Sequence, residues 1–109
     1  MKDKRKEKAD KAFSLFIRGR DGKCLFCDKS DSRLQCAHIF SRRNARLRHD
    51  PQNAITLCFK CHFRYMHYNP AEGIAMFQKM FPKRWEYLLV AKNEMRKFDY
   101  EGVMESLKS

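Results

Sequence analysis

The chain has 109 residues, with 24 lysines and arginines against 13 acidic residues and a formal net charge of +11. This length predicts a single domain, 1–109, whose small core gains from an added constraint such as a bound metal. The charge favours a polyanionic partner, nucleic acid first, with an anionic membrane surface or a purely solubilising role as alternatives. No apolar run is long enough for a signal peptide or a membrane span, which argues against both and predicts a cytoplasmic protein.

A helix is expected first, followed by two strands around a long loop. Apolar residues at helical spacing predict a helix over 9–18 that ends at Gly19. Segments 33–40 and 54–57 suit two paired strands. The polar, arginine-rich connection between them reads as a loop.

The rest of the chain reads as helical. A helix over 59–67 is expected to end at Asn69, because the residue before a proline disfavours the helical backbone. Pro82 suits the first turn of a later helix, and Asp99 suits the cap of a last one. The predicted fold class is α+β, with a basic N-terminal helix over 1–22, a core over 23–69 and a C-terminal helical extension over 70–109.

Four of the five cysteines form two C-x-x-C pairs, Cys24 with Cys27 and Cys58 with Cys61. Both sulfurs of such a pair can point inward from a tight turn, and two pairs complete a tetrahedral thiolate site that favours structural zinc. A thioredoxin-like redox pair and unrelated buried thiols are the alternatives, but a redox pair needs one C-x-x-C in a βαβ pattern that this sequence lacks. Cys36 has no partner at metal spacing and is expected to be a small buried residue.

Three further residues follow in the order His, Asn, His: His38 in "CAHIFSRR", Asn53 in "DPQNAITLC" and His62 in "CFKCH". Together with the cysteine pairs, these motifs resemble those of the HNH endonucleases, also called ββα-metal or His-Me finger nucleases. The resemblance is to a variant whose small ββα core is stapled by a four-cysteine zinc site. Within that family the chain looks most like the NinG/Rap-type recombination nucleases of phages.

The resemblance implies a role for each residue of the motif. His38 matches the general base, which takes a proton from the water that attacks a DNA phosphodiester, and this role suits a neutral imidazole. Asn53 matches a residue that orients the histidine through the loop backbone and in some members touches the metal. His62 matches a ligand of a catalytic divalent ion, Mg²⁺ or another.

Ala37 departs from the family pattern, because many members have Asp or His immediately before the general base as a metal ligand. The ion must then find another ligand: Asn53, Asp50, His67 or water. His67 comes five residues after His62, about 140° around an ideal helix, so the two are not expected to share a face unless the helix ends between them. The departure also motivates the alternative of a non-catalytic, zinc-stabilised module that binds nucleic acid.

Five arginines and no lysine or acidic residue lie between Ser32 and His49. The guanidinium group of arginine can bind a phosphate through two hydrogen bonds. Because the run contains no acidic residue, its arginines are not expected to form local ion pairs. A solvated loop is the alternative. The candidate DNA contacts are Arg42, Arg43, Arg46 and Arg48, of which the first two lie closest to His38 in the sequence.

The expected function is that of a metal-dependent HNH endonuclease that hydrolyses DNA phosphodiester bonds, with a structural Zn²⁺ and a catalytic Mg²⁺ or other divalent ion. The resemblance to phage nucleases further implies branched or recombination intermediates as substrates, in a host cytoplasm. A junction-cutting enzyme often needs two active sites, and the C-terminal helices offer a surface for a homodimer.

Overall fold

The computed structural model describes residues 4–30, 33–95 and 99–107. It confirms the predicted α+β class, with a two-stranded antiparallel sheet among helices. In the described part of the chain, no helix combines the length and the apolar character that crossing a lipid bilayer requires. The elements are α1 (Lys4–Asp21), β1 (Leu34–His38), β2 (Ala54–Cys58), α2 (Phe59–His62), α3 (Pro70–Met80), α4 (Pro82–Ala91) and α5 (Tyr100–Ser106).

The helix α1 runs past its predicted end. Gly19 lies inside the helix, so the predicted stop there is wrong, and Gly22 instead takes the left-handed backbone (φ 68°) that commonly follows a helix. The reason is tertiary: the Asp21 carboxylate accepts a hydrogen bond from the Thr56 amide at 2.9 Å. This contact with β2 holds the last turn of α1 in place.

The two strands pair in antiparallel register from Leu34 opposite Cys58 to His38 opposite Ala54. Both predicted strands are therefore confirmed, the first trimmed at its ends. All five residues of β2 are buried. Successive residues of a strand face opposite sides, so one side of β2 meets the apolar stripe of α1 and the other meets the core formed with α3 and α4.

A loop over residues 39–53 connects the strands and closes with a single 3₁₀ turn, Pro51–Asn53. The Asp50 carboxylate caps that turn by accepting a hydrogen bond from the Gln52 amide at 2.9 Å. His38 and Asn53 thus lie at the two ends of one loop, which the paired strands bring together.

The helix predicted over 59–67 is confirmed in extent but changes its winding. After α2, residues Phe63–Tyr68 form a π-helical turn, and the Asn69 amide donates to the Arg64 carbonyl, five residues earlier, at 2.8 Å. Gly73 of α3 allows the next helix to approach this turn, because a Cβ at that position would overlap the Tyr65 carbonyl oxygen. The π-helical turn is therefore supported by its neighbour in the fold.

The C-terminal helices share one hydrophobic core with the sheet. Phe77 and Leu88 are fully buried and lie in the same cluster as Leu57 of β2. Pro82 begins α4 as predicted, and the Asp99 carboxylate caps α5 as predicted.

Candidate functional site

The four paired cysteines meet at one point. Their sulfur atoms all lie within 4.8 Å of one another, and they are the single group of three or more potential metal-binding side chains found in the described residues. The Sγ atoms of Cys27 and Cys58 are 3.7 Å apart. Tetrahedral zinc with Zn–S bonds of about 2.3 Å places its sulfurs about 3.8 Å apart. The arrangement therefore fits zinc.

Backbone hydrogen bonds shape the loop that carries the first cysteine pair. The Cys24 amide donates to the Lys29 carbonyl at 2.7 Å, and the Leu25 amide donates to the Thr56 carbonyl at 2.9 Å, which attaches the loop to β2. Burial, with neighbouring sulfurs adding to it, raises the pKa of the Cys61 thiol. Thiolates crowded in this way need a cation to balance them, so the site favours a bound metal.

A cleft of about 490 Å³, the histidine cleft, opens between α1, the end of β1 and the π-helical turn. It brings together two residues of the predicted catalytic set, His38 and His62, with the candidate phosphate contact Arg42. It also contains His67, which the sequence did not favour as a ligand. Its lining is Asp10, Phe13, Ser14, Cys36, His38, Arg42, His62, Met66 and His67.

His38 ends β1 and turns its ring toward the loop. Its Nε2 lies 2.8 Å from the Arg48 carbonyl oxygen, and because a carbonyl can only accept, Nε2 carries the hydrogen and Nδ1 is the unprotonated nitrogen. Burial lowers the pKa of His38 to about 4, although the hydrogen bond to Arg48 acts in the other direction. The imidazole is therefore neutral near pH 7.

Asn53 is fully buried, and its side chain forms hydrogen bonds with backbone groups of the loop. Its side-chain amide donates to the carbonyl oxygens of Phe40 at 3.0 Å and Leu47 at 3.1 Å, and its side-chain oxygen accepts from the Phe40 amide at 2.8 Å. Leu47 immediately precedes Arg48, whose carbonyl binds His38. This geometry suits a residue that orients His38 through the loop. The side-chain oxygen of Asn53 already accepts from the Phe40 amide, which argues against a role for it as a metal ligand.

His62 and His67 lie side by side in the histidine cleft, with ring centres 5.1 Å apart. On sequence grounds they share a face only if the helix ends between them, and the α-helix does end at His62. The π-helical turn that follows brings residues five apart closer to one face than an α-helix does. Gln35 of β1 accepts from His62 Nδ1 at 2.6 Å, which leaves His62 Nε2 as the unprotonated nitrogen. Both imidazole rings therefore line the same cleft.

The arginines of the loop divide into two pairs. Arg46 binds Asp50 at 2.8 Å and Glu94 at 3.0 Å, and Arg48, only 6% exposed, binds the Asp10 carboxylate. The expectation that the run escapes ion pairing is thus wrong for these two. Arg42 and Arg43 are exposed, and no carboxylate of residues 4–30, 33–95 or 99–107 forms an ion pair with either guanidinium.

Sequence reasoning missed Gln35 and Asp10 altogether. Gln35 reaches His62 across 27 residues, and Asp10 reaches Arg48 across 38 residues. No local pattern signals such contacts, since each depends on how β1 and α1 pack against the loop and the helix that follow them.

Residues 24–66 match the family model described as HNH endonuclease. The matched stretch contains all four clustered cysteines together with His38, Asn53 and His62, and it ends just before His67. The match and the cysteine cluster fit a zinc-containing HNH variant, and they suggest nuclease activity with DNA as the substrate. Comparison with curated proteins and with solved structures finds no match.

Proposed function

We propose that the protein is a metal-dependent endonuclease that hydrolyses phosphodiester bonds of DNA in the histidine cleft. One observation carries this proposal: the cleft joins a neutral imidazole, a pair of imidazoles suited to a metal ion, and an exposed arginine. A base, a metal site and a cation for the phosphate are the parts that phosphodiester hydrolysis needs.

His38 acts as the general base in this proposal. Its Nε2–H is held by the Arg48 carbonyl, so Nδ1 is the atom that takes a proton from the attacking water. A pKa of about 4 keeps the ring neutral but leaves it a weak base. The negative charge of a bound phosphate favours the protonated ring and therefore raises this pKa toward the working range.

His62 and His67 would hold the catalytic ion. Such an ion, when bound, supplies Lewis-acid stabilisation of negative charge on the phosphate and the leaving oxygen. Two imidazole ligands suit Mn²⁺, Co²⁺, Ni²⁺ or Zn²⁺ better than Mg²⁺, which prefers oxygen. Gln35 fixes the His62 ring by accepting from Nδ1, and His67 supplies a ligand that Ala37 cannot.

DNA is bound, in this proposal, by the exposed arginines at the rim of the cleft. Arg42 lines the cleft itself and Arg43 follows it on the exposed loop. Arg46 and Arg48 contribute less, because acidic partners already neutralise them. The high net charge of +11 adds sequence-independent, salt-sensitive attraction to the DNA backbone.

The resemblance to NinG/Rap-type nucleases supports a narrower form of the proposal. In it the substrate is a branched or recombination intermediate of phage DNA in a host cytoplasm, and a homodimer provides two active sites. A second candidate function is a zinc-stabilised module that binds nucleic acid without cutting it. Ala37, at a position where HNH nucleases often have a metal ligand, is the observation that favours this alternative.

Cleavage assays separate the two candidates. Supercoiled plasmid and a four-way junction are incubated with the protein and Mg²⁺, Mn²⁺ or Co²⁺, beside His38→Ala and the control Cys36→Ala, which alters the same strand and cleft without touching the proposed chemistry. We expect cutting by the wild type and the control, and a loss of at least 100-fold in His38→Ala, the order typical of a general base. Binding without cutting by the wild type with every metal would overturn the nuclease and support the binding module.

A further inference from the structure

We infer that Asp10 of α1 is a positioning residue for His38, acting through the side chain and the carbonyl of Arg48. The inference deepens the proposed function, since it assumes that His38 is the general base. Asp10 lies outside the matched residues 24–66. The N-terminal helix would thus complete a site whose other proposed residues lie in or next to the matched stretch.

The Asp10 carboxylate binds two consecutive residues of the loop. Its Oδ1 accepts from Arg48 Nε at 2.9 Å and from His49 Nε2 at 2.7 Å, and its Oδ2 accepts from Arg48 Nη2. Partial burial alone would raise the pKa of Asp10, but the hydrogen bonds from Arg48 and His49 hold it below its ordinary value. The carboxylate is therefore ionised when it binds this segment.

Arg48 carries the effect of Asp10 to both functional parts of the cleft. Its backbone carbonyl accepts from His38 Nε2 at 2.8 Å, which selects the tautomer with a free Nδ1. Its Nη1 donates to the Arg42 carbonyl at 3.1 Å, which places the proposed phosphate contact. One carboxylate on α1 thus supports the backbone on which the base and the phosphate contact both depend.

Two independent anchors hold the loop where it meets His38. Asn53 holds it from the core through the Leu47 carbonyl at 3.1 Å, and Asp10 holds the next two residues from α1. Without Asp10, the guanidinium of Arg48 would lose the carboxylate that it binds, and a buried charge that loses such a partner tends to move toward water. The Arg48 carbonyl would move with it, so the preference of His38 for one tautomer would weaken.

The test compares two carboxylates of the same helix. Asp10→Asn removes the charge that holds Arg48, whereas Asp21→Asn removes a similar ion pair, with Arg20, that has no contact with His38 or Arg48. The tautomer of His38 is read from imidazole ¹⁵N chemical shifts in the full-length, zinc-loaded protein. Steady-state cleavage of plasmid by the same samples gives kcat and KM.

We expect a single Nε2–H tautomer in the wild type and in Asp21→Asn, and a mixture of tautomers in Asp10→Asn. In Asp10→Asn kcat should fall by roughly 10- to 100-fold, with KM nearly unchanged. A fall of this size follows when a catalytic group is displaced by up to about 1 Å. If Asp10→Asn does not fold, the double variant Asp10→Leu with Arg48→Met removes the pair without leaving a buried charge. A mixture of tautomers is again expected, because the hydrogen bonds that hold residues 48 and 49 to Asp10 are then lost.

An unchanged tautomer and kcat in a folded Asp10 variant would overturn the inference. The same change in Asp21→Asn would also overturn it, because the effect would then reflect general loosening of α1. A wild-type protein that does not cut DNA would instead overturn the proposed function. The ¹⁵N measurement does not depend on cutting and would still decide whether Asp10 sets the His38 tautomer.

Discussion

Asn53 and Phe40 exchange two hydrogen bonds across the mouth of the loop. The Asn53 side chain accepts from the Phe40 amide at 2.8 Å and donates to the Phe40 carbonyl at 3.0 Å. It thereby pairs with the backbone as a neighbouring strand would. Because the same amide also binds Leu47, one buried side chain fixes both sides of the loop next to His38.

Asn53→Ala should destabilise the protein and abolish cleavage. The substitution leaves the backbone groups of Phe40 and Leu47 without their buried partner, at a cost of about 2–4 kcal/mol in the free energy of unfolding. Urea denaturation measures that cost. Gln52→Ala, at the exposed neighbouring position, is the control and should change stability by less than about 0.5 kcal/mol. Equal stability of the two variants would contradict the anchoring role.

The stability of the fold should fall as the pH falls from 6.5 toward 4. Burial lowers the pKa of His38 to about 4 from an ordinary 6.5, so between these values the unfolded chain binds a proton that the folded chain does not. The contribution of His38 to the free energy of unfolding is therefore fully present above pH 6.5. The size of the pKa shift makes it worth about 3 kcal/mol. Burial lowers the pKa values of His49 and His62 in the same direction.

Urea denaturation at half-unit pH steps, in zinc-loaded protein without other metals, measures this slope. His38→Gln should flatten it, because glutamine does not titrate. A slope in His38→Gln equal to that of the wild type would show that His38 is not the responsible group.

Cys61→Ser should lose the zinc and with it the cooperative unfolding transition. The four sulfurs join the loop over residues 24–27 to the start of α2, and binding of a structural metal contributes directly to folding free energy. Elemental analysis should find one zinc per wild-type chain, and EDTA treatment should reproduce the variant. Cys36→Ser, which alters the cysteine outside the cluster, should retain the zinc; loss of zinc there would contradict the assigned ligand set.

Arg42→Ala and Arg43→Ala should each weaken DNA binding. Each should also lower the slope of log Kd against log salt concentration by about 1, because one phosphate contact is lost. Arg46→Ala should change this slope less, since Asp50 and Glu94 already neutralise Arg46. Fluorescence anisotropy with labelled duplex DNA at several salt concentrations measures the slopes. A larger change in slope for Arg46→Ala than for Arg42→Ala would contradict the proposed DNA-binding surface.

His67→Ala should weaken binding of Mn²⁺ or Co²⁺ by at least roughly 10- to 100-fold. A loss of that size follows the removal of a residue that only orients a metal ligand, and the removal of a ligand itself should cost at least as much. Calorimetric titration of zinc-loaded protein measures the second site separately from the cysteine cluster. Tyr68→Ala, on the same π-helical turn but 79% exposed, is the control. Affinity for Mn²⁺ that is the same in all three proteins would rule out His67 as a ligand.

Gly73→Ala tests whether the π-helical turn is needed for the proposed binding of an ion by His62 and His67. A methyl group at residue 73 would overlap the Tyr65 carbonyl oxygen, so α3 must shift away from the turn that presents His67. We expect weaker Mn²⁺ binding with the zinc still bound. Gly19→Ala, where an added Cβ meets open space, should leave Mn²⁺ binding unchanged, and an equal loss in both variants would contradict the role of the turn.

The sequence by itself predicted the α+β class, the paired strands, the helix end at Asn69, the cap at Asp99 and the grouping of four cysteines. Each depends on local properties: the spacing of apolar side chains, the backbone restrictions of proline, and the short C-x-x-C turns whose chemistry is shared with zinc sites generally. The order of His38, Asn53 and His62 likewise marked the candidate site, because the motif lies within one continuous stretch.

Only the tertiary structure decided which charged and polar groups face one another. Asp10 neutralises Arg48, Gln35 selects the tautomer of His62, and the π-helical turn brings His67 beside it. These relationships join residues from separate elements or change the winding of a helix, so they depend on packing and hydrogen bonding across the fold. Short-range sequence patterns do not encode such contacts. The neighbouring positions of His62 and His67 and the division of the arginines are therefore visible only in the folded chain.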